Sequence, residues 1–389
     1  SRKLYSKQSR QRLSRVTLKT FSHFCRTVFF LNMKKISIIF ILPDLETGGA
    51  ERIVTTIANH LPREKFEPKI LLLRKEGGYL QFLKDDVEII DIQTPRIRHS
   101  LKPILLEIKR RKPDIVFSGF GEINAYLSLF IKIFPKTKFI ARETNVVSKH
   151  VTRKEIRFFY KFYNNYYRII CQSDDMQNDL VENFNIKKEK LVKINNPVDF
   201  DFIESKLEIS TKPESFKNDC KNVVAIGNLS SRKGFDNLLK VFSHLRNEKI
   251  LLHILGNGRD RETLHQMKKD LDLENVIFHG QQENPYQFLK FADLFILSSR
   301  YEGFPNVLLE AGACGTYSLA NNCPGGISEI IQPKINGEIS DIENHENFAK
   351  KIVEVLNENH HPQQIINSIK SRFSKEIILK KYEELLLKI

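Results

Sequence analysis

The chain has 389 residues, 41% of them hydrophobic, and a formal net charge of +15. That length holds about two domains with packed cores and excludes a miniprotein stapled by disulfides or metal. Roughly half of the excess charge lies in residues 1–32, which contain eight Arg or Lys and no acid, so the remainder is not basic enough to call for a nucleic-acid partner.

Residues 1–32 read as a basic, unfolded extension ahead of Met33, where Met33-Lys34-Lys35 runs straight into an apolar strand. A membrane-surface arm using Phe21, Phe24, Phe29 and Phe30, or an Arg/Ser-rich transit segment, are the other readings. No apolar run approaches the ~18 residues of a membrane-spanning helix. The five cysteines form no Cys-x-x-Cys and no Cys/His metal spacing, which fits free thiols in a reducing cytoplasm.

From Lys35 onward, β-branched runs alternate with amphipathic stretches. Strands are expected at 36–42, 69–73, 87–91, 114–118, 138–142, 168–172 and 190–194, with helices at 49–60, 101–111, 122–133, 153–166 and 174–183. Continuous apolar strands between helices predict a parallel sheet covered on both faces. Residues 198–221 are polar, follow Pro197, contain Pro213, and read as a linker. Alternation resumes with strands at 222–226, 249–255, 275–279, 293–297 and 316–320, and residues 343–389 read as helical. The expected fold is α/β: two tandem Rossmann-like domains, 33–197 and 222–372, facing across a cleft. A terminal helix at 373–389 is expected to pack back on the first domain. Ligands of such sheets sit at the carboxyl ends of the strands.

Four strand-to-helix turns carry candidate chemistry. Thr47-Gly48-Gly49-Ala50-Glu51-Arg52 follows the first strand, where a glycine pair lets backbone approach a ligand and the helix N-terminus offers N–H groups to an anion. The dinucleotide fingerprint G-x-G-x-x-G is missing, which argues against a nicotinamide enzyme. Gly227-Asn228-Leu229-Ser230-Ser231-Arg232-Lys233-Gly234 follows the first strand of the second domain and places two cations where a diphosphate can be clamped. Ser298 to Ala311 is the richest segment. Pro305 suits the first turn of a helix, the amides of Gly303, Phe304, Pro305's neighbour Asn306, and Val307 can face a phosphate, and the Glu302 and Glu310 carboxylates can accept hydroxyl hydrogen bonds from a sugar or ribose. The turn Asn322-Cys323-Pro324-Gly325-Gly326-Ile327-Ser328-Glu329 closes the series, with Cys323 read as structural. His253 and His279 fall on strands and read as packing residues, and the basic-aromatic stretches 96–112 and 149–168 fit nucleic acid, an anionic membrane surface, or a solvated helix over an aromatic core.

Together these segments resemble the retaining glycosyltransferases of the GT-B fold, family 4, over residues 33–389. The strongest mark is the Glu-x7-Glu pair in E-G-F-P-N-V-L-L-E-A, residues 302–311. The resemblance implies a nucleotide-sugar donor, UDP-linked by its lean, and a glycan or lipid-linked acceptor in envelope polysaccharide synthesis. It implies Lys233 and Glu302 as catalytic residues, with Gly48, Gly49, Asn228, Arg232, Gly303–Val307 and Glu310 binding the donor: Gly49 and Lys233 at the diphosphate, Glu302 at the transferred sugar, Glu310 at the ribose. Arg142 and Glu143 are the acceptor-side candidates. No metal and no cofactor are expected, no nucleic acid, and a cytoplasmic enzyme able to sit at the inner membrane face. The family often carries Arg where this chain has Asn228, a position whose charge Arg232 can supply. A nucleotide-sugar 2-epimerase of the same fold is one alternative, disfavoured by the Glu-x7-Glu pair together with the Gly48-Gly49-Ala50-Glu51 start; a non-catalytic carbohydrate or nucleic-acid binder is the other, disfavoured by the intact Lys233, Glu302 and Glu310.

Overall fold

Parallel strands rich in Ile, Leu, Val and Phe build two separate sheets in the computed structural model, which describes residues 34–46 and 48–389. The expectations for residues 1–33 and for Thr47 lie outside the described residues. The first sheet contains β1 (Ile36–Leu42), β2 (Phe66–Leu72), β3 (Glu88–Asp91), β4 (Ile115–Ser118), β5 (Lys138–Arg142), β6 (Arg168–Cys171) and β7 (Leu191–Lys193), ordered β3-β2-β1-β4-β5-β6-β7. The second contains β8 (Lys221–Ile226), β9 (Ile250–Leu255), β10 (Val276–Gly280), β11 (Leu294–Leu297), β12 (Ser318–Asn321) and β13 (Gly337–Ser340), ordered β10-β9-β8-β11-β12-β13. Both orders reverse direction beside their first strand. A crevice opens there, because the connections on either side leave toward opposite faces of the sheet. The turns 48–52, 227–234 and 298–305 all lie at these switch points.

Three expectations are corrected. Residues 198–221 are not a bare linker: Phe200–Glu208 is a helix, capped by the Asp199 side chain on the Phe202 amide, and Val198, Phe200, Ile203 and Phe216 are buried in the core of the second domain. Pro305 lies one residue ahead of the helix, which begins at Asn306. The helix expected at 153–166 is α-helical only over Lys154–Phe159 and continues as a 3₁₀ turn, Tyr160–Asn165. Tyr160, Tyr163 and Tyr166 recur every three residues, so three residues per turn, not 3.6, brings them onto one face. All three are buried, and the first two stack at 4.1 Å.

The chain crosses between the domains at two points that hydrogen-bond to each other. The Val198 amide donates to the Phe373 carbonyl at 2.8 Å, and the Lys375 amide to the Val198 carbonyl at 2.9 Å. The helix Lys375–Leu387 then returns to the first domain, where Ile378, Tyr382 and Leu386 are fully buried. Truncating Leu386 to Ala is expected to cost about 2–5 kcal/mol of stability. Denaturant unfolding measures it, and a loss within error of zero would mean that this helix is not docked in the core.

Candidate active site

The two sheets present their carboxyl ends to each other across a cleft of about 640 Å³. The first domain contributes the turn after β1, with the helix Gly49–His60, and the ends of β5 and β6. That helix has no side-chain cap; instead the Glu51 carboxylate folds back on the amides of Ala50 and Glu51. Burial raises the Glu51 carboxyl above its ordinary range, against the pull of these amides. The second domain contributes the turn after β8 and the loop from β11 into the helix Asn306–Ala313.

Glu302 is the electrostatic centre. It is 5% exposed, yet its Oε1 lies 2.6 Å from the Lys233 Nζ and accepts from the Ser299 Oγ at 2.7 Å, while its Oε2 lies 2.6 Å from the Arg232 Nη1. Burial alone would raise its pKa; the two cations reverse that and hold it below the ordinary carboxylate value. The carboxylate is therefore ionised across the neutral range. Gly234 makes the cation loop possible: its φ of +65° is left-handed, and a Cβ there would sit 2.1 Å from the Ser298 carbonyl oxygen.

Glu310, on the fifth residue of its helix, faces the other end of the cleft. It pairs across the domain boundary with the Arg52 Nη2 at 2.6 Å, and the Tyr286 hydroxyl lies 3.5 Å from the Arg52 Nη1. Glu302 and Glu310 thus meet different cations at separated points of one elongated cleft. Among the expected donor residues, Gly48, Gly49, Asn228, Arg232, Lys233, Phe304, Pro305, Asn306 and Val307 also line it, as does Arg142.

Two expected residues stand elsewhere. Gly303 is packed against the first domain: a Cβ on it would lie 2.2 Å from the Thr144 carbonyl oxygen, so glycine is needed for the domains to approach. Glu143 turns away from the cleft into an adjoining recess, where it accepts from the Tyr163 hydroxyl at 2.8 Å and the Asn124 amide at 3.2 Å. Burial raises its carboxyl. Phe304 lines the cleft, and its ring packs against Phe373 in the core.

Residues with no assigned role in the sequence bind the two walls together. The Asn196 side chain donates to the Phe304 carbonyl at 3.1 Å and to the Asn306 Oδ1 at 2.8 Å. On the far side, Glu329 accepts from the Asp174 amide at 2.7 Å and lies 3.0 Å from the Lys193 Nζ, and the Gly325 amide donates to Asp175 at 2.8 Å. The fourth turn is thus an interdomain clasp. Burial pushes the Cys323 thiol up to about 12, which keeps it protonated and poorly nucleophilic. His253 is buried on β9 between Asn222 and His279, with its pKa lowered to about 4 by burial and by His279. Among the described residues no three His, Cys, Asp or Glu side chains converge on a metal position, and no helix is long and apolar enough to cross a membrane.

The arrangement matches known proteins over most of its length. Residues 47–202 match Glycosyltransferase Family 4 and residues 208–372 match Glycosyl transferases group 1. An N-acetylgalactosamine-N,N'-diacetylbacillosaminyl-diphospho-undecaprenol 4-alpha-N-acetylgalactosaminyltransferase of Campylobacter jejuni is 26% identical, covering 87% of this chain and 95% of its own. A lipopolysaccharide core biosynthesis glycosyltransferase of Rhizobium meliloti is 25% identical, covering 87% and 96%. In fold, the chain is similar to HepE of Anabaena in complex with UDP and glucose, with a TM-score of 0.74 at 18% identity over 91% of this chain and 100% of that one. The two family matches adjoin near the interdomain crossing and between them take in both walls of the cleft; the chain belongs to the group 1 glycosyl transferases of the GT-B fold and is a glycosyltransferase.

Proposed function

We propose that the protein is a retaining, metal-independent transferase that moves a hexose or N-acetylhexosamine from a UDP-sugar to a glycan or lipid-linked acceptor in envelope glycan synthesis. The observation that carries this reading is the buried Glu302 carboxylate held between Lys233 and Arg232 at the N-terminal end of the helix Asn306–Ala313. As the bond between the anomeric carbon and the diphosphate breaks, its electron pair leaves on the diphosphate, and the two cations and the helix amides take up that charge. The acceptor hydroxyl oxygen bonds to the anomeric carbon, and its proton passes to the departing phosphate. Glu302 can then accept hydroxyl hydrogen bonds from the sugar, and Glu310 from the ribose.

The donor class is supported by the UDP and glucose in the HepE complex, and the acceptor class by the diphospho-undecaprenol in the name of the Campylobacter relative. An inner-membrane site of action suits such an acceptor. In the stretch 149–168, Lys154 and Lys161 are exposed, but the Arg157 guanidinium lies over the Phe184 ring. Lys154 and Lys161, together with Lys149 and with Arg153, which pairs with Glu122, are the exposed cations of this stretch and the charges offered to an anionic surface.

A panel of nucleotide sugars, scored by release of nucleoside diphosphate with and without lipid-linked acceptors, tests the reading. Release that depends on both a UDP-sugar and an acceptor is expected; sugar conversion without acceptor would identify an epimerase instead. Turnover is expected to persist in EDTA, since the cations and helix amides supply the neutralisation that a divalent ion otherwise would. Activity lost in EDTA and restored by manganese would contradict this.

A further inference from the structure

Arg142 is the last residue of β5 and 1% exposed. Its Nη2 donates to the Asn196 Oδ1 at 2.6 Å and its Nε to the Tyr382 hydroxyl at 3.3 Å, while its Nη1 is buried with no hydrogen-bond partner. Among the described residues no carboxylate stands within ion-pair distance of it. Glu51 and Glu143 feel its charge from farther away, and burial drives both toward their neutral forms. A buried guanidinium without a counter-charge is unfavourable, and native structures seldom keep one that nothing ever neutralises.

Its position says what the missing counter-charge is. Arg142 lies on the floor of the cleft, and so does Gln172, which directly follows β6 and whose Nε2 is likewise buried and unpartnered. Two orphaned donors at the ends of adjacent parallel strands call for an acceptor group, and the cation beside them calls for an anion. Through Asn196, Arg142 is two hydrogen bonds from the N-terminus of the helix Asn306–Ala313. Across the same gap, a Cβ on Gly49 would lie 2.8 Å from the Asn306 Nδ2, so the N-termini of the helices Gly49–His60 and Asn306–Ala313 face one another there.

We propose that Arg142, with Gln172 beside it, is the first domain's half of the diphosphate site, completing from the opposite wall what Arg232 and Lys233 provide from the second domain. The inference rests on the nucleotide-sugar reading above. One wall thus holds a cation with no carboxylate partner, and on the other Glu302 engages both cations. A diphosphate entering between them supplies Arg142 with its counter-ion and shares Arg232 and Lys233 with Glu302.

The test is equilibrium binding of UDP, uridine and inorganic pyrophosphate to the full chain and to Arg142→Gln, Arg142→Lys and Gln172→Leu. Arg142→Gln is expected to weaken UDP and pyrophosphate by about tenfold or more, the scale of one charge-assisted contact, and to leave uridine within about twofold. Arg142→Lys should recover part of the loss. A parallel loss of uridine would show a structural role and overturn the proposal. So would unchanged UDP binding with a raised KM for the acceptor, which would assign the anion to the acceptor. Should Arg142→Gln fail to fold, Gln172→Leu carries the same comparison: a loss of about threefold confined to UDP and pyrophosphate supports the site, and no change overturns it. Pyrophosphate bound through Arg142 by a parent protein that does not bind UDP would uphold the subsite while sinking the nucleotide-sugar reading.

Discussion

Replacing Lys233 with Ala is expected to lower kcat by about 10²-fold or more, with a smaller change in the donor KM. Negative charge on the diphosphate grows as the bond to the sugar breaks, so a cation beside it acts more strongly in the transition state than in the ground state. Lys233 is well placed for that, because its Nζ is fixed 2.6 Å from the Glu302 Oε1 and its side chain is largely out of water. Its removal also changes Glu302. Burial raises that carboxyl and the two cations lower it, so with one cation gone its pKa must rise. A carboxylate with a depressed pKa is protonated only as pH falls through that depressed value; in Lys233→Ala the acid limb of the pH–rate profile should therefore move upward. Steady-state kinetics across the acid range reads both effects. A variant with parental turnover would remove this cleft from the chemistry.

Glu302→Gln should separate turnover from nucleotide binding. The carboxylate engages Arg232 and Lys233 together. The amide releases both cations to the diphosphate, so UDP should bind as tightly as before or more tightly, while turnover falls by about 10²-fold because the sugar is no longer oriented. Glu310→Gln should do the reverse. The ribose does not change during reaction, so its loss acts on UDP and UDP-sugar alike and appears mainly in KM. The same variant removes the Arg52–Glu310 pair, which crosses between the domains at 2.6 Å. Calorimetric titration with UDP distinguishes the two. If Glu302→Gln weakens plain UDP as much as Glu310→Gln does, the carboxylates have been assigned to the wrong ends of the ligand.

Most of the fold was legible because strands buried on both faces are continuous apolar runs. β1 and β5 match their expected bounds, and the ten strands β2–β4 and β6–β12 fall within a few residues of theirs. β13 was not anticipated: it is a four-residue edge strand, Gly-Glu-Ile-Ser, only partly buried, and so short and mixed a segment carries no such run. The helix Phe200–Glu208 was open to view in the spacing of Phe200, Ile203 and Leu207 behind the Asp199 cap, but the surrounding polar residues and Pro197 masked it. The 3₁₀ turn at Tyr160–Asn165 follows a three-residue aromatic period that a 3.6-residue template does not distinguish over so short a span.

By itself, the sequence determined the two parallel sheets, the four turns at their carboxyl ends and the identity of the charged residues on them, because each rests on a local pattern of strand, glycine and helix start. Only the tertiary structure decided which of those residues share an environment. Arg52 meets Glu310 across 258 positions of chain, Arg232 and Lys233 close on Glu302 from some 70 positions away, and Arg142 is left without a counter-charge. Gly303 proved to be a contact between domains, and Glu143 a support for buried tyrosines. Coulombic and hydrogen-bond energies depend on separation in space and on burial, neither of which is encoded in the distance between two letters of the chain.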